Sequence, residues 1–326
     1  MAYEAKIQKD SVAEQTGYRL TTVEVTLPRF VLAEYNTHRV FSRNSASSRA
    51  IPVEKQIAKV LQDPAMPVYW GKNQAGMKAR TELNEFEILE SKESWLISRD
   101  LAVLGAVALN GGLDNIKDDS LAKQIADMQE DYRYSFPDIH GPLHKQITNR
   151  LLEPFMWQTI ITTATEWDNF FALRAHPDAQ PEIQKAAQLI LKAYNASEPE
   201  PVKEGEWHLP LIQDDEKDWA ENNVTDAIKV SIGRCARVSY MTHDGKRDIN
   251  KDIELYETLV SAGHMSPTEH VATPMAESYT RAHKEPFWGN FRGWIQYRKK
   301  LPNEDNYAKA LIAQQKLADE GVGHSE

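Results

Sequence analysis

Thirteen consecutive residues, Thr37 to Arg49, read THRVFSRNSASSR and form the densest run of hydrogen-bond donors in the chain. The run holds the guanidiniums of Arg39, Arg43 and Arg49, the imidazole of His38, and the hydroxyl or amide groups of Thr37, Ser42, Asn44, Ser45, Ser47 and Ser48. Such an inventory can surround a phosphate, because guanidinium forks and hydroxyls together satisfy several oxygens at once. The chain as a whole is acidic, with 38 Lys+Arg against 48 Asp+Glu and a formal net charge of −10, so an anion bound here is gripped locally. Composition alone favours the plainer reading, a solvated polar loop, since loops are polar by default.

Three further stretches carry candidate chemistry. Arg174 closes the block Asn169-Phe170-Phe171-Ala172-Leu173-Arg174. Taken alone, it is a helix-end cation within reach of Glu182. Arg150 lies in Asn149-Arg150-Leu151-Leu152-Glu153-Pro154. Near the C-terminus come Arg234-Cys235-Ala236-Arg237-Val238-Ser239-Tyr240 and then Gly263-His264-Met265-Ser266-Pro267-Thr268-Glu269-His270. His140 with His144, and His264 with His270, raise the question of a metal, but no H-E-x-x-H or Cys pairing accompanies them and no metal is expected. Cys235, the single cysteine, sits in an apolar-periodic helix without a paired His motif, which points to a packing role.

The elements that must position these groups are read from periodicity. Residues 18–27, YRLTTVEVTL, alternate β-branched and polar side chains and predict a strand closed by Pro28. A short helix follows over FVLAEYNTHRVF, so that the stretch 42–50 leaves a helix end as a loop. Helices are expected over 74–109, with Leu83, Phe86, Leu89, Trp95, Leu96 and Leu104 as core stripe and Gly111-Gly112 as stop, and over 120–130, 144–163 and 179–195. Pro154 should kink the helix at 144–163. Two amphipathic helices follow over NVTDAIKVSIGRCARVSY and NKDIELYETLVSAGH, then a short strand in 271–280. A final helix, PFWGNFRGWIQYRKK, has Trp288, Phe291, Trp294 and Ile295 on one face. Proline and acidic residues in 197–206 mark a linker, giving a core over 1–196 and a second segment over 207–326.

With 326 residues, 41% hydrophobic and 26% charged, the chain can bury a sizeable core and belongs to none of the collagenous or low-complexity classes. Its acidity argues against nucleic acid or anionic lipid as a partner. One cysteine suits a reducing compartment. MAYEAKIQKD lacks a signal-peptide core and no run approaches ~20 apolar residues, so a cytoplasmic location without membrane contact is expected.

The Thr37–Arg49 run resembles the signature of flavin-dependent thymidylate synthases, R-H-R-x-x-S-x-N-E-x-S-x-R-Y. His38, Arg39, Ser42, Asn44, Ser47 and Arg49 hold their places, while Thr37, Ser45 and Ala50 replace the family's Arg, Glu and Tyr. The Asn169–Ile183 block is similar to the family's N-F-L-x-L-R-x-x-x-x-A-Q-x-E-I, and Asn149–Pro154 to A-R-x-x-L-P. Downstream, Thr163-Ala164-Thr165 stands where the family has N-A-R. The C-terminal stretches resemble A-R-V-S and G-H-x-[ST]-P-F-E-H, elements that come first in the family, so the order looks circularly permuted.

The resemblance implies an α+β fold with a mixed or antiparallel sheet ringed by helices, in a homotetramer with sites built between subunits. It implies one-carbon transfer from methylenetetrahydrofolate to C5 of dUMP, with FAD as hydride carrier and NAD(P)H as reductant. It assigns catalysis to Arg174, nucleotide binding to Ser47, Ser48, Arg49 and Arg150, and the FAD neighbourhood to His38, Arg39, Asn169, His264 and Ser266. The departures at Thr37, Ser45 and Thr163 leave open a hydroxymethylase making 5-hydroxymethyl-dUMP, a base-modification precursor of the kind DNA phages use. A non-catalytic nucleotide-binding relative of the same scaffold is the remaining alternative.

Overall fold

The computed structural model describes residues 3–47, 51–76, 78–137, 141–240, 247–276 and 289–301, with 304, 312 and 315. Strands β1 (Glu4–Ala13) and β2 (Arg19–Pro28) form an antiparallel hairpin, followed by helix α1 (Leu32–Asn36) and strand β3 (Ser42–Ser45). Helices α2 (Val53–Gln62), α3 (Glu85–Leu109), α4 (Asp119–Asp131) and α5 (Lys145–Thr148) lead through a 3-10 helix at Asn149–Phe155 into β4 (Trp157–Ala164). Then come α6 (Asp168–Arg174), α7 (Pro181–Ala196), β5 (Glu200–Val202), α8 (Lys217–Asn222), α9 (Val224–Tyr240), α10 (Ile249–Ser261), β6 (Ala272–Pro274) and β7 (Trp294–Gln296).

The main sheet runs β3-β4-β2-β1-β5, with β5 parallel to β1 and the other pairs antiparallel, and β6 pairs separately with β7. The fold is therefore α+β with a mixed sheet, as the resemblance implies. Alternation along each strand sends side chains to opposite faces. Val23, Val25, Leu27 and Ile160 meet Tyr35, Phe41, Trp167, Phe170 and the α7 residues Ile183 and Ile190 in one core. Glu24 and Thr26 of β2 and Thr159 of β4 face the other way, lining a cleft with Gln56 and Lys59 of α2 and Val238 of α9. A second core packs α2, α3 and α4 around Ile57, Leu104, Ile125 and Leu152. Each large apolar side chain buried in either core contributes about 1.5–3 kcal/mol.

Several expectations need correction. Residues 157–164 are a strand, not the end of a helix over 144–163: Thr159 to Thr163 are all β-branched, and a strand buried on both faces shows no alternation to betray it. Of the expected final helix over 286–300, the described residues 289–300 contain β7 and a 3-10 turn at Tyr297–Lys300 instead, with Gly289 and Gly293 at φ +105° and +73° breaking any helical run there. Trp288 lies outside the described residues. Helix α3 begins at Glu85, where Asn84 and Glu87 form a reciprocal capping box, so Phe86 and Leu89 stand in solvent while Leu104 is buried. At its far end Gly111 and Gly112 take φ +91° and +89°, the left-handed region that stops the helix. The first four residues of the stretch 42–50 form an edge strand, and Glu200–Val202, within the stretch read as a linker, add β5 to the sheet.

Candidate active site

Arg174 ends α6, whose first turn carries Asp168, so each charge complements the helix dipole. Its side chain does not turn toward Glu182, whose carboxylate accepts from the Val68 amide at 2.8 Å. It reaches back to the C-terminal end of α1. There Nε donates to His38 Nε2 at 3.0 Å, and Nη2 donates to Thr37 Oγ1 at 3.0 Å and to the Glu34 carbonyl at 3.4 Å. Thr37 Oγ1 donates its own proton to the Glu34 carbonyl at 2.7 Å, which turns a lone pair toward Arg174.

The His38 ring is 8% exposed and wedged against aromatics, edge-on to Phe170 at 4.9 Å and tilted against Phe41 at 5.7 Å. Burial, with the positive charges of Arg174 and Arg43 beside it, holds its pKa down to about 4. The imidazole is thus neutral near pH 7, and because Nε2 accepts from Arg174 the proton resides on Nδ1.

Alternation along β3 splits the donor-rich run between the two faces of the sheet. Ser42 and Asn44 share a face with their partners Thr163 and Ile161, whereas Arg43 and Ser45 point toward the α1 side. Arg43 is not a free anion ligand: its Nη1 donates to the carbonyls of Tyr35 and His38, both at 3.2 Å, capping the end of α1. Arg39 is exposed and makes no ion pair with the described residues. Ser47 is half-buried, while Ser48 and Arg49 lie outside the described residues.

Arg150 lies apart from Arg174, on the other side of α1. It pairs with Glu153 at 2.9 Å, and Glu153 also accepts from Arg29 at 2.8 Å. These three side chains line a groove of about 480 Å³ together with Phe30, Asn36 and Pro154. Arg29 was missed in the sequence, its only signal being a cation directly after a strand-ending proline. Asn169 is exposed on α6, and His264 and Ser266 are exposed at the entry to a 3-10 turn, Ser266–Glu269, that packs against β3.

Thr163 lies in the interior of the sheet. Its hydroxyl is wholly buried, 2.6 Å from Thr22 Oγ1 and 2.8 Å from His270 Nδ1. Thr22 in turn meets His208 Nε2 at 2.8 Å, and His208 Nδ1 meets Ser11 Oγ at 2.8 Å. This buried polar chain crosses three strands and ends at His270 Nε2, which has no partner among the described residues. Cys235 is fully buried and burial pushes its thiol pKa up, so it is a packing residue and not a nucleophile.

Fold and site together define an α+β scaffold that holds one arginine in a fixed pose at the end of a short helix. The family profile of the thymidylate synthase complementing proteins matches residues 2–200, and the chain belongs to that family. Among solved structures it is similar to a UMP/dUMP methylase, PolB, from Streptomyces cacaoi bound with 5-Br dUMP, at 13% identity and a TM-score of 0.38 over 59% of this chain and 90% of that one. No curated protein matches the chain significantly.

Proposed function

We propose that the protein transfers a one-carbon unit from methylenetetrahydrofolate to C5 of dUMP in a flavin-dependent reaction. The observation that carries this reading is the clamped guanidinium: with Nε and Nη2 engaged by His38, Thr37 and Glu34, Arg174 Nη1 keeps both N–H groups uncommitted among the described residues. Uracil C5 is a weak nucleophile. A fixed cation at the ring edge stabilises the negative charge that develops as N3 loses its proton, and such preorganised charge is usually the largest single catalytic contribution. The buried Cys235 cannot add to C6, so charge stabilisation by Arg174 replaces covalent activation.

The donor set suits FAD: Arg39, Asn169, His264 and Ser266 are all exposed, and their guanidinium, amide, imidazole and hydroxyl groups match pyrophosphate and ring acceptors. Bound there, the flavin would supply the hydride chemistry that side chains lack. His38 is too buried, and too committed to Arg174, to serve primarily in that set. Ser47, Ser48, Arg49 and Arg150 would hold the nucleotide. With Arg150 set apart from Arg174 by α1, the reading includes a homotetramer whose neighbouring subunits complete each site. Residues 207–326 would then supply, in permuted order, the family's opening elements.

Absorption spectra and FAD titration of the purified protein test the reading. A flavin-binding protein that converts dUMP is expected, and absence of flavin binding would leave a non-catalytic scaffold. The hydroxymethyl alternative now rests on Thr37 and Ser45 alone, since Thr163 is buried. Mass spectrometry of the product separates dTMP from 5-hydroxymethyl-dUMP.

A further inference from the structure

An arginine side chain must give up rotamer entropy before it presents a donor in one direction. At Arg174 that ordering is done by two acceptors from adjacent residues. His38 takes Nε and Thr37 takes Nη2, both at 3.0 Å, so the side-on edge of the guanidinium is matched by a two-point cradle. Each acceptor is itself fixed. Thr37 has its proton directed to the Glu34 carbonyl at 2.7 Å, and His38 is held by Phe170 and Phe41 with its Nε2 lone pair facing the guanidinium. Among the described residues, the third nitrogen, Nη1, is left with both protons for a ligand.

We propose that His38 and Thr37 are positioning residues that act through Arg174, holding its Nε–Nη2 edge so that Nη1 is presented to the anionic edge of the pyrimidine nucleotide. This rests on the dUMP reading above, and departs from it in taking His38 out of the cofactor's direct contacts. The threonine that replaces the family signature's first arginine thereby gains a role, since a second arginine at position 37 could not accept from Arg174.

The test uses full-length protein and two readouts that need no turnover. In ¹⁵N-histidine NMR at pH 7, His38 should be the Nδ1–H tautomer, and its Nε2 resonance should shift in Arg174→Lys. An Nε2–H tautomer overturns the cradle whether or not dUMP binds. Calorimetric dUMP titration of wild type, Thr37→Val, Arg174→Ala and the double variant then tests the coupling. Thr37 is exposed, so Thr37→Val should melt like wild type and weaken dUMP about tenfold, the cost of one hydrogen bond to a charged group. In the Arg174→Ala background the same change should cost less than twofold, because the partner is already gone. Equal losses in both backgrounds overturn the proposal. His38→Gln, which keeps an acceptor, should retain FAD affinity within twofold while dUMP weakens; FAD loss with dUMP binding intact would return His38 to the cofactor. Failure of wild type to bind dUMP refutes the substrate reading, and the NMR result still decides the cradle.

Discussion

Acidification from pH 7.5 to 5.0 should destabilise the protein well before its carboxylates begin to protonate. Three histidines are neutral and buried in the native state: His38 with a pKa held to about 4, His270 to about 3, and His208 well below its ordinary value. Burial is the leading cause for all three, joined at His38 by Arg174 and Arg43 and at His208 by Lys9 and His270. In the unfolded chain each returns to a pKa near 6.5. Because the folded pKa values are depressed, this stability is complete above pH ~7 and is lost as pH falls below 6.5, where the unfolded chain takes up protons that the native state refuses. The loss levels off only near pH 4 for His38 and near pH 3 for His270. His38 and His270 each contribute a slope of about 1.4 kcal/mol per pH unit, so at pH 5 each has cost about 2 kcal/mol and the two together about 4, with His208 acting in the same direction. That approaches the lower end of whole-protein stability, about 5–15 kcal/mol. Urea unfolding at half-unit pH steps reads the slope directly, and His208→Gln should make it shallower. A midpoint that stays flat between pH 7.5 and 5.0 would refute the reasoning.

Arg174→Ala should lower kcat and kcat/KM together by at least a hundredfold with little change in thermal midpoint, as expected for a charge used mainly in the transition state; near wild-type turnover at saturating dUMP removes it from the mechanism. Asp252, 2% exposed, accepts from Arg234 at 2.9 Å and Arg237 at 2.6 Å, so Asp252→Ala strands cations between α9 and α10 and should cost about 3–5 kcal/mol in urea unfolding. A loss below about 1 kcal/mol would mean that Glu216, which also pairs with Arg234, carries the network. Gly111→Ala places a Cβ 2.4 Å from Asn115 Nδ2 at φ +91°, and should lower stability by about 1–3 kcal/mol in the same assay.

The parts of the fold legible in the sequence are those whose pattern is local. Strand β2 announces itself by alternation, α7 by a proline in its first turn, and α10 by closure at Gly263. Strand β4 was hidden because both of its faces are buried, which erases alternation; only the β-branched run Thr159–Thr163 could have revealed it. Helix α3 overran because Phe86 and Leu89 fit an apolar stripe that the core does not reach. At the site, the residue inventory was readable but the assignments of individual donors were not. Arg43 counts as a phosphate ligand until β3 turns it onto the carbonyls of α1, and the burial of Thr163 in β4 is invisible until the strand is placed. Nothing near His38 in sequence marks Arg174 as its partner, 136 residues away.

The hydroxyl-and-imidazole chain across the sheet has a bearing on how the polypeptide is made. Its links join residues 141, 107, 186 and 197 positions apart, and the nearby Gln296 side chain donates to Ser42 across 254. A nascent chain that has emerged only as far as α7 has its β-hairpin and β4 in hand, yet Thr22 and Thr163 still face water that His208 and His270 must later displace. The sheet therefore cannot close that face until His208 and His270 have been made and have docked. Loops of this length are slow to close and leave the hydroxyl-lined face uncovered meanwhile, so that side of the sheet is sealed by elements made after α7.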